Sequence, residues 1–184
     1  MSTVGMQGMP EIVLPAMEPE LEWICGRAIQ KVSPKRKHAI LQARISAVLD
    51  MWARRKGEVG TEWRFRLAPP GEERRPLVPD VAFISYERTA GLKGADLDAP
   101  PVAPDIAVEI FSPGDLRVHI SEKRRVYLAS GVSLVLHVDP KRERVDAYRP
   151  DGSRETISLG SPYTPPEFPG LSLPFGSFFE DLKR

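Results

Sequence analysis

A single cysteine, Cys25, excludes an intramolecular disulfide and a cysteine-based zinc cluster. That scarcity fits a reducing compartment, and Cys25 itself is expected to be an inert small apolar residue. No stretch approaches the ~20 apolar residues needed to span a bilayer. Met1 to Pro15 lacks the basic region followed by an apolar run that marks a secretory leader. The expectation is a cytoplasmic protein with no membrane partner. A dominant charge is missing too. The formal net charge is +1, so a nucleic-acid partner has to be argued from local patches. No internal repeat is visible, and nothing marks a second domain.

What is present is 184 residues, 41% hydrophobic and 28% charged, enough for one globular domain with a proper core. We expect residues 1–16 to form a flexible N-terminal arm and residues 17–184 a single domain. Nineteen prolines concentrate in three places. These are Pro10 to Pro19 in the arm, Pro100 to Pro104 ahead of a strand, and Pro162 to Pro174 in an extended tail.

Leu21 to Ile24 and Ala28 to Val32 flank Gly26 and predict a hairpin. Ser33-Pro34 has the form of a helix start, and Leu41, Ile45, Val48 and Trp52 continue at helical spacing to about Lys56. Strands are expected over Val59 to Leu67, Val78 to Tyr86 and Ile106 to Phe111, with a polar loop, partly helical, from Glu87 to Ala99. Asp115 is the expected N-cap of a second helix from Leu116 to about Ser130, stopped by Gly131. Val132 to Val138 and Arg144 to Tyr148 follow as strands around a Pro140 turn, with Thr156 to Leu159 as an expected edge strand. The pattern is α/β (α+β): a mixed β-sheet flanked by helices.

Three charged residues stand where this pattern expects apolar ones. Asp80 opens the apolar run from Val81 to Ile84; its plainer reading is a loop aspartate capping a strand entrance. Glu109 lies inside Ile106 to Phe111, sharing a face with Asp105 and Ala107 by strand alternation. An ionised carboxylate inside a sheet costs several kcal/mol unless a charge or metal compensates it. An edge strand with a solvated face, or an arginine partner, would remove that cost. Lys123 falls on the stripe Leu116, Ile120, Lys123, Tyr127, the inward face of the second helix, unless it snorkels to the rim. Two carboxylates from neighbouring strands and an inward lysine suit metal-assisted phosphodiester hydrolysis. Mg²⁺ prefers oxygen ligands and takes one or two carboxylates, while a nearby ammonium stabilises developing negative charge. His38 begins the inward stripe of the first helix, where a hydrogen-bonded core histidine is the plainer reading. Glu22 alternates with Leu21 and Trp23, and Asp105 reads as a brace for its strand.

The run Pro104-Asp105-Ile106-Ala107-Val108-Glu109-Ile110-Phe111-Ser112-Pro113 resembles the signature of the Uma-type restriction endonucleases, part of the PD-(D/E)XK nuclease superfamily. Val78-Pro79-Asp80, Glu22 with Gly26, Ser33-Pro34 with His38, Glu122-Lys123 through Tyr127, Gly131-Val132 and Val138-Asp139-Pro140 match in the same order. The resemblance covers roughly residues 20 to 180. It implies a restriction-endonuclease-like fold and a metal-dependent endonuclease. Asp80 and Glu109 would be ligands of Mg²⁺, with Mn²⁺ as a substitute, and Glu22 and His38 would be further groups at the site. The superfamily's lysine usually lies two residues after the second acid, where this chain has Phe111; the resemblance implies that Lys123 takes its role. DNA is the implied partner, and a homodimer is expected because cutting two strands often uses two-fold symmetry. The chain departs from the pattern at His119, where many relatives carry aspartate, and at Leu136, where they often carry tryptophan. His119 keeps open a nuclease-fold protein that binds nucleic acid without cutting it, and an interaction module remains a third reading.

Overall fold

Cys25 and Gly26 both take positive φ, 50° and 76°, closing the two-residue turn between β1 (Leu21–Ile24) and β2 (Arg27–Gln30) in the computed structural model. Cys25 is therefore exposed at a hairpin tip instead of packed as a small apolar residue. The structure describes residues 10–183, so residues 1–9 of the expected arm lie outside the described residues. From Pro10 the chain is tied to the body: Ile12 N–H donates to the Arg74 carbonyl at 2.8 Å, and Arg74 N–H to the Pro10 carbonyl at 2.9 Å.

The backbone stays extended through Lys35, so α1 (Arg36–Ala53) starts two residues later than Ser33-Pro34 suggests, with no side-chain cap. Its buried line is His38, Leu41, Ile45, Leu49 and Ala53, with Val48 and Trp52 half-buried beside it. The expected single strand over Val59 to Leu67 is broken at Glu62, whose φ of 54° turns the chain. The two pieces, β3 (Gly57–Thr61) and β4 (Phe65–Leu67), join different sheets. β4 pairs with β5 (Arg75–Leu77), whereas β3 pairs antiparallel with β6 (Val81–Ser85). Two short helical turns, α2 (Tyr86–Thr89) and α3 (Ala95–Asp98), occupy the polar loop before β7 (Ile106–Ile110). Leu116, not Asp115, holds the N-cap position of helix α4 (Arg117–Ala129), which has no side-chain cap; Asp115 instead accepts the Ser112 N–H at 2.7 Å, bracing the turn that leads in. β8 (Leu134–Asp139), β9 (Arg144–Tyr148), β10 (Arg154–Thr156) and α5 (Phe175–Asp181) complete the chain.

The main sheet has six strands in the order β10-β9-β8-β7-β6-β3. Only β7 and β8 run parallel, as α4 between them requires; the other pairs are antiparallel. All five residues of β7 are buried, and β7 is flanked by β6 and β8. Glu109 is thus in a central strand, which removes the edge-strand reading. Ile106, Val108 and Ile110 pack toward Leu41 and Ile45 of α1 and Phe175 and Phe179 of α5. Ala107 packs on the other side with Val126 and Tyr127 of α4 and Phe65 and Leu77 of the small sheet. Full burial of each branched or aromatic side chain contributes about 1.5–3 kcal/mol, so the sheet is held rigidly from both faces. Glu109, in phase with Ala107, is aimed at α4.

Candidate active site

The turn before β6 delivers Asp80, which is 3% exposed. Its Oδ2 accepts the Ile110 N–H of β7 at 2.6 Å, and Oδ1 pairs with the Lys31 ammonium at 2.7 Å. Burial alone would raise the Asp80 pKa; Lys31, His38 and Lys123 outweigh it and hold the carboxyl well below the usual range. Lys31 also donates to the Val78 carbonyl at 3.0 Å and lies 3.7 Å from Glu62 Oε2. Burial would lower its pKa, but Asp80, Glu22 and Glu109 drive it upward instead.

Lys123 Nζ lies 2.7 Å from Glu109 Oε1 and 2.8 Å from Glu109 Oε2, 2.8 Å from Glu22 Oε1 and 3.3 Å from the Val78 carbonyl. Its side chain is 8% exposed, so it faces inward and does not snorkel. The Tyr127 hydroxyl, one turn along α4, donates to Glu109 Oε1 at 2.7 Å. Burial pushes the Glu109 carboxyl up to about 7 against the lowering effect of Lys123. Glu22 also accepts the Val78 N–H at 2.7 Å, tying the first hairpin to the turn that carries Asp80.

His38 Nδ1 lies 3.0 Å from Ser112 Oγ. Its Nε2 is buried, has no hydrogen-bond partner among the described residues and faces Asp80 Oδ1 across 3.5 Å. Donor atoms of His38, Glu62 and Asp80 all lie within 4.8 Å of one another, close enough to share a metal ion. Gln42 steadies this corner, donating to the Asp80 carbonyl at 2.9 Å and to Glu62 Oε1 at 3.1 Å. Asp80, Glu109, Lys123, Glu22 and His38 all line one cleft of about 290 Å³. Asp105 is elsewhere: it pairs with Arg88 at 2.8 Å and accepts the Ser85 N–H, the bracing role expected of it. Sequence reasoning missed Lys31, Glu62 and Gln42. Only Gln42, beside an inward helical stripe, carried any local signal.

A family model described as "Putative restriction endonuclease", Uma2, matches residues 12–176. The chain belongs to the Uma2 family. It also superimposes on the crystal structure of a "putative nuclease belonging to DUF820" from Anabaena variabilis, with a TM-score of 0.79 and 26% sequence identity. That alignment covers 91% of this chain and 93% of the other. No curated protein matches the sequence. The restriction-endonuclease-like fold expected from the motifs is therefore the fold of the chain. Within this Uma2 protein His119 sits on the cleft wall, with Nε2 3.4 Å from an Arg27 guanidinium nitrogen. Lys123 takes its carboxylate partners from Glu22 and Glu109, so the exchange of aspartate for His119 leaves that cluster assembled.

His137 stands beside Glu109 in the register of β7 and β8, between the rings of Phe111 and Tyr148 at 5.1 and 4.9 Å. Burial, helped by Arg124, pushes its pKa from 6.5 down to about 3. The unfolded chain takes up a proton as pH falls through 6.5 and the folded chain does not, so this stabilising contribution is full above 6.5 and lost toward 3. Glu109 acts with the opposite sign: its contribution is full below 4.5 and lost as pH rises toward about 7. Between those limits the two slopes oppose each other. In His137→Phe the melting temperature should fall more steeply with rising pH between about 4.5 and 6.5 than in the unaltered protein. Circular-dichroism melts measure this, and identical slopes would contradict the assignment.

Proposed function

We propose that the chain is a Mg²⁺-dependent endodeoxyribonuclease, acting in the cytoplasm as a homodimer, with Mn²⁺ as a substitute metal. The supporting observation is the charge imbalance in the cleft. Glu22, Asp80 and Glu109 on the cleft wall, with Glu62 3.7 Å from Lys31 beside it, are four carboxylates against only two ammonium groups, from Lys31 and Lys123. Fully ionised, these acids outnumber the ammonium groups by two; after burial, that excess is part of what holds the Glu109 carboxyl up, and a hard divalent cation would neutralise it. The buried His38 Nε2, 3.5 Å from Asp80 Oδ1 and without a hydrogen bond among the described residues, adds a ligand nitrogen that suits the same ion.

Asp80 and Glu109 would hold the metal, with His38 and Glu62 beside Asp80. Bound there, the cation would polarise the scissile phosphoryl group and lower the pKa of a coordinated water. The protein's own groups do the positioning. Tyr127 and Lys123 fix the Glu109 carboxylate, Ile110 N–H fixes Asp80, and Glu22 anchors Lys123. The Lys123 ammonium is then placed to offset charge developing on phosphoryl oxygens. Lys31 keeps Asp80 ionised across the working pH range.

Sorting the basic runs supports a nucleic-acid substrate. Arg64 pairs with Glu20, Arg66 with Glu11 and Asp96, and Arg125 with Glu72 and Glu122. Arg54 to Lys56 lie at the far end of α1, roughly 24 Å from His38 along the helix. Lys35 and Lys37 sit at the near end, beside the cleft.

The test is cleavage of supercoiled plasmid, of linear duplex and of single-stranded circular DNA by purified protein. We expect nicked and linear products with Mg²⁺ or Mn²⁺ and none in EDTA. Intact DNA under all of these conditions would defeat the proposal. Light scattering on the same preparation checks the dimer.

A further inference from the structure

Next to the carboxylate cleft lies a second cavity of about 670 Å³, and His38, Ser112, Asp115 and Ile120 line both. Its volume falls in the ~300–1,000 Å³ range of small-ligand sites, too small for a base-paired duplex but ample for one nucleotide. Part of its wall is apolar and includes Phe111, Ile120 and Pro140. Phe111 occupies the position where the superfamily's lysine usually stands; it is half-buried here, its ring packed against His137 while it also lines the cavity.

The charged part of the wall is one-sided. Lys35, Lys37, Arg117 and Lys141 all line the cavity, and none has an acidic partner among the described residues. The two wall carboxylates are already engaged. Asp115 accepts the Ser112 N–H, and Asp139 accepts two backbone N–H groups and pairs with Arg142 at 2.8 Å. An aromatic and apolar wall within a ring of free cations complements a nucleotide: a base to stack, and phosphates on either side to neutralise.

We propose that this cavity seats an unpaired nucleotide of the DNA strand adjoining the scissile phosphate. The base lies against Phe111, and Lys35, Lys37, Arg117 and Lys141 hold the flanking phosphates. The inference rests on the nuclease reading and adds a substrate class to it. A paired base is held inside the duplex stack, and extruding it costs least where it is mismatched or already single-stranded. Single-stranded, mismatched or flapped DNA is therefore the preferred substrate over a perfect duplex.

Binding is read in EDTA, where no cleavage occurs, by anisotropy of a labelled single-stranded oligodeoxynucleotide and of the matching perfect duplex. We expect tighter binding of the single strand. Phe111→Ala should weaken it by about tenfold or more, the loss expected for one stacked base, while barely changing duplex binding. Arg117→Glu with Lys141→Glu, both at exposed positions, should weaken both forms and flatten the salt dependence. Melting curves establish that each variant is folded, and Phe111→Leu replaces Phe111→Ala if the latter is not. Unchanged single-strand binding by the Phe111 variant, or duplex preference in the unaltered protein, overturns the nucleotide seat. Metal-dependent cleavage of DNA together with either result leaves the nuclease reading standing and removes only the seat. Absence of DNA binding by the unaltered protein in EDTA overturns the seat, and absence of metal-dependent cleavage of every DNA form as well overturns both.

Discussion

Asp80→Asn is expected to lower metal-dependent DNA cleavage by about a thousandfold or more, because metal polarisation is worth several kcal/mol and each 1.4 kcal/mol is tenfold in rate. The amide keeps the size of the carboxylate and retains one oxygen for either Ile110 N–H or Lys31, but not both with full charge. It also turns an N–H₂ donor toward whichever donor it does not satisfy. Lys31 is left short of its closest counter-ion. A buried pair broken from one side costs about 3–5 kcal/mol, here moderated because Val78 O and Glu62 still reach the ammonium. The variant should therefore melt lower and bind Mn²⁺ more weakly in calorimetric titration. Lys31→Met added to Asp80→Asn should recover part of the stability while restoring no cleavage, separating the structural role of the pair from its chemistry. Wild-type cutting by Asp80→Asn would remove Asp80 from the mechanism.

The two carboxylates and the lysine were legible because each interrupts an apolar pattern of known period. Glu109 breaks a run of two-residue alternation in a buried strand, and Lys123 stands on a helical stripe that ends in Tyr127. The surroundings then decided between rival readings. The position of β7 between β6 and β8 excludes an edge strand, the burial of Glu109 excludes a solvated face, and the carboxylates around Lys123 exclude snorkelling. Lys31 and Glu62 were not legible, and Gln42 only faintly, because their roles come from contacts 20 to 49 residues away in the chain. The break at Glu62 was hidden for a related reason. A left-handed residue other than glycine leaves little trace in hydrophobic pattern, so β3 and β4 read as one strand. Helix α5 escaped because it is seven residues long and follows a proline-rich segment; it is held by Phe175, Phe178 and Phe179 packing into the core and not by its own propensity.

Lys123→Met should be the most damaging single change to the fold at this site. Lys123 serves Glu22, Glu109 and the Val78 carbonyl together, and methionine keeps the length of the side chain while removing every one of these partners' cation. Two buried carboxylates then share a pocket with only Lys31 nearby. The expected loss is about 3–5 kcal/mol of stability, with Glu109 taking up a proton more readily as its largest opposing charge disappears. Cleavage should fall by about a hundredfold to a thousandfold, the scale seen when one oriented group for developing anionic charge is removed. Lys123→Arg should rescue little, because a planar guanidinium cannot replace a compact ammonium among four oxygens converging from three residues. Added Mn²⁺ separates this account from general unfolding. With the ammonium gone the uncompensated negative charge grows, so the divalent ion should raise the melting temperature of Lys123→Met more than that of the unaltered protein. An equal or smaller Mn²⁺ shift would show that Lys123 and the metal do not act on the same charges.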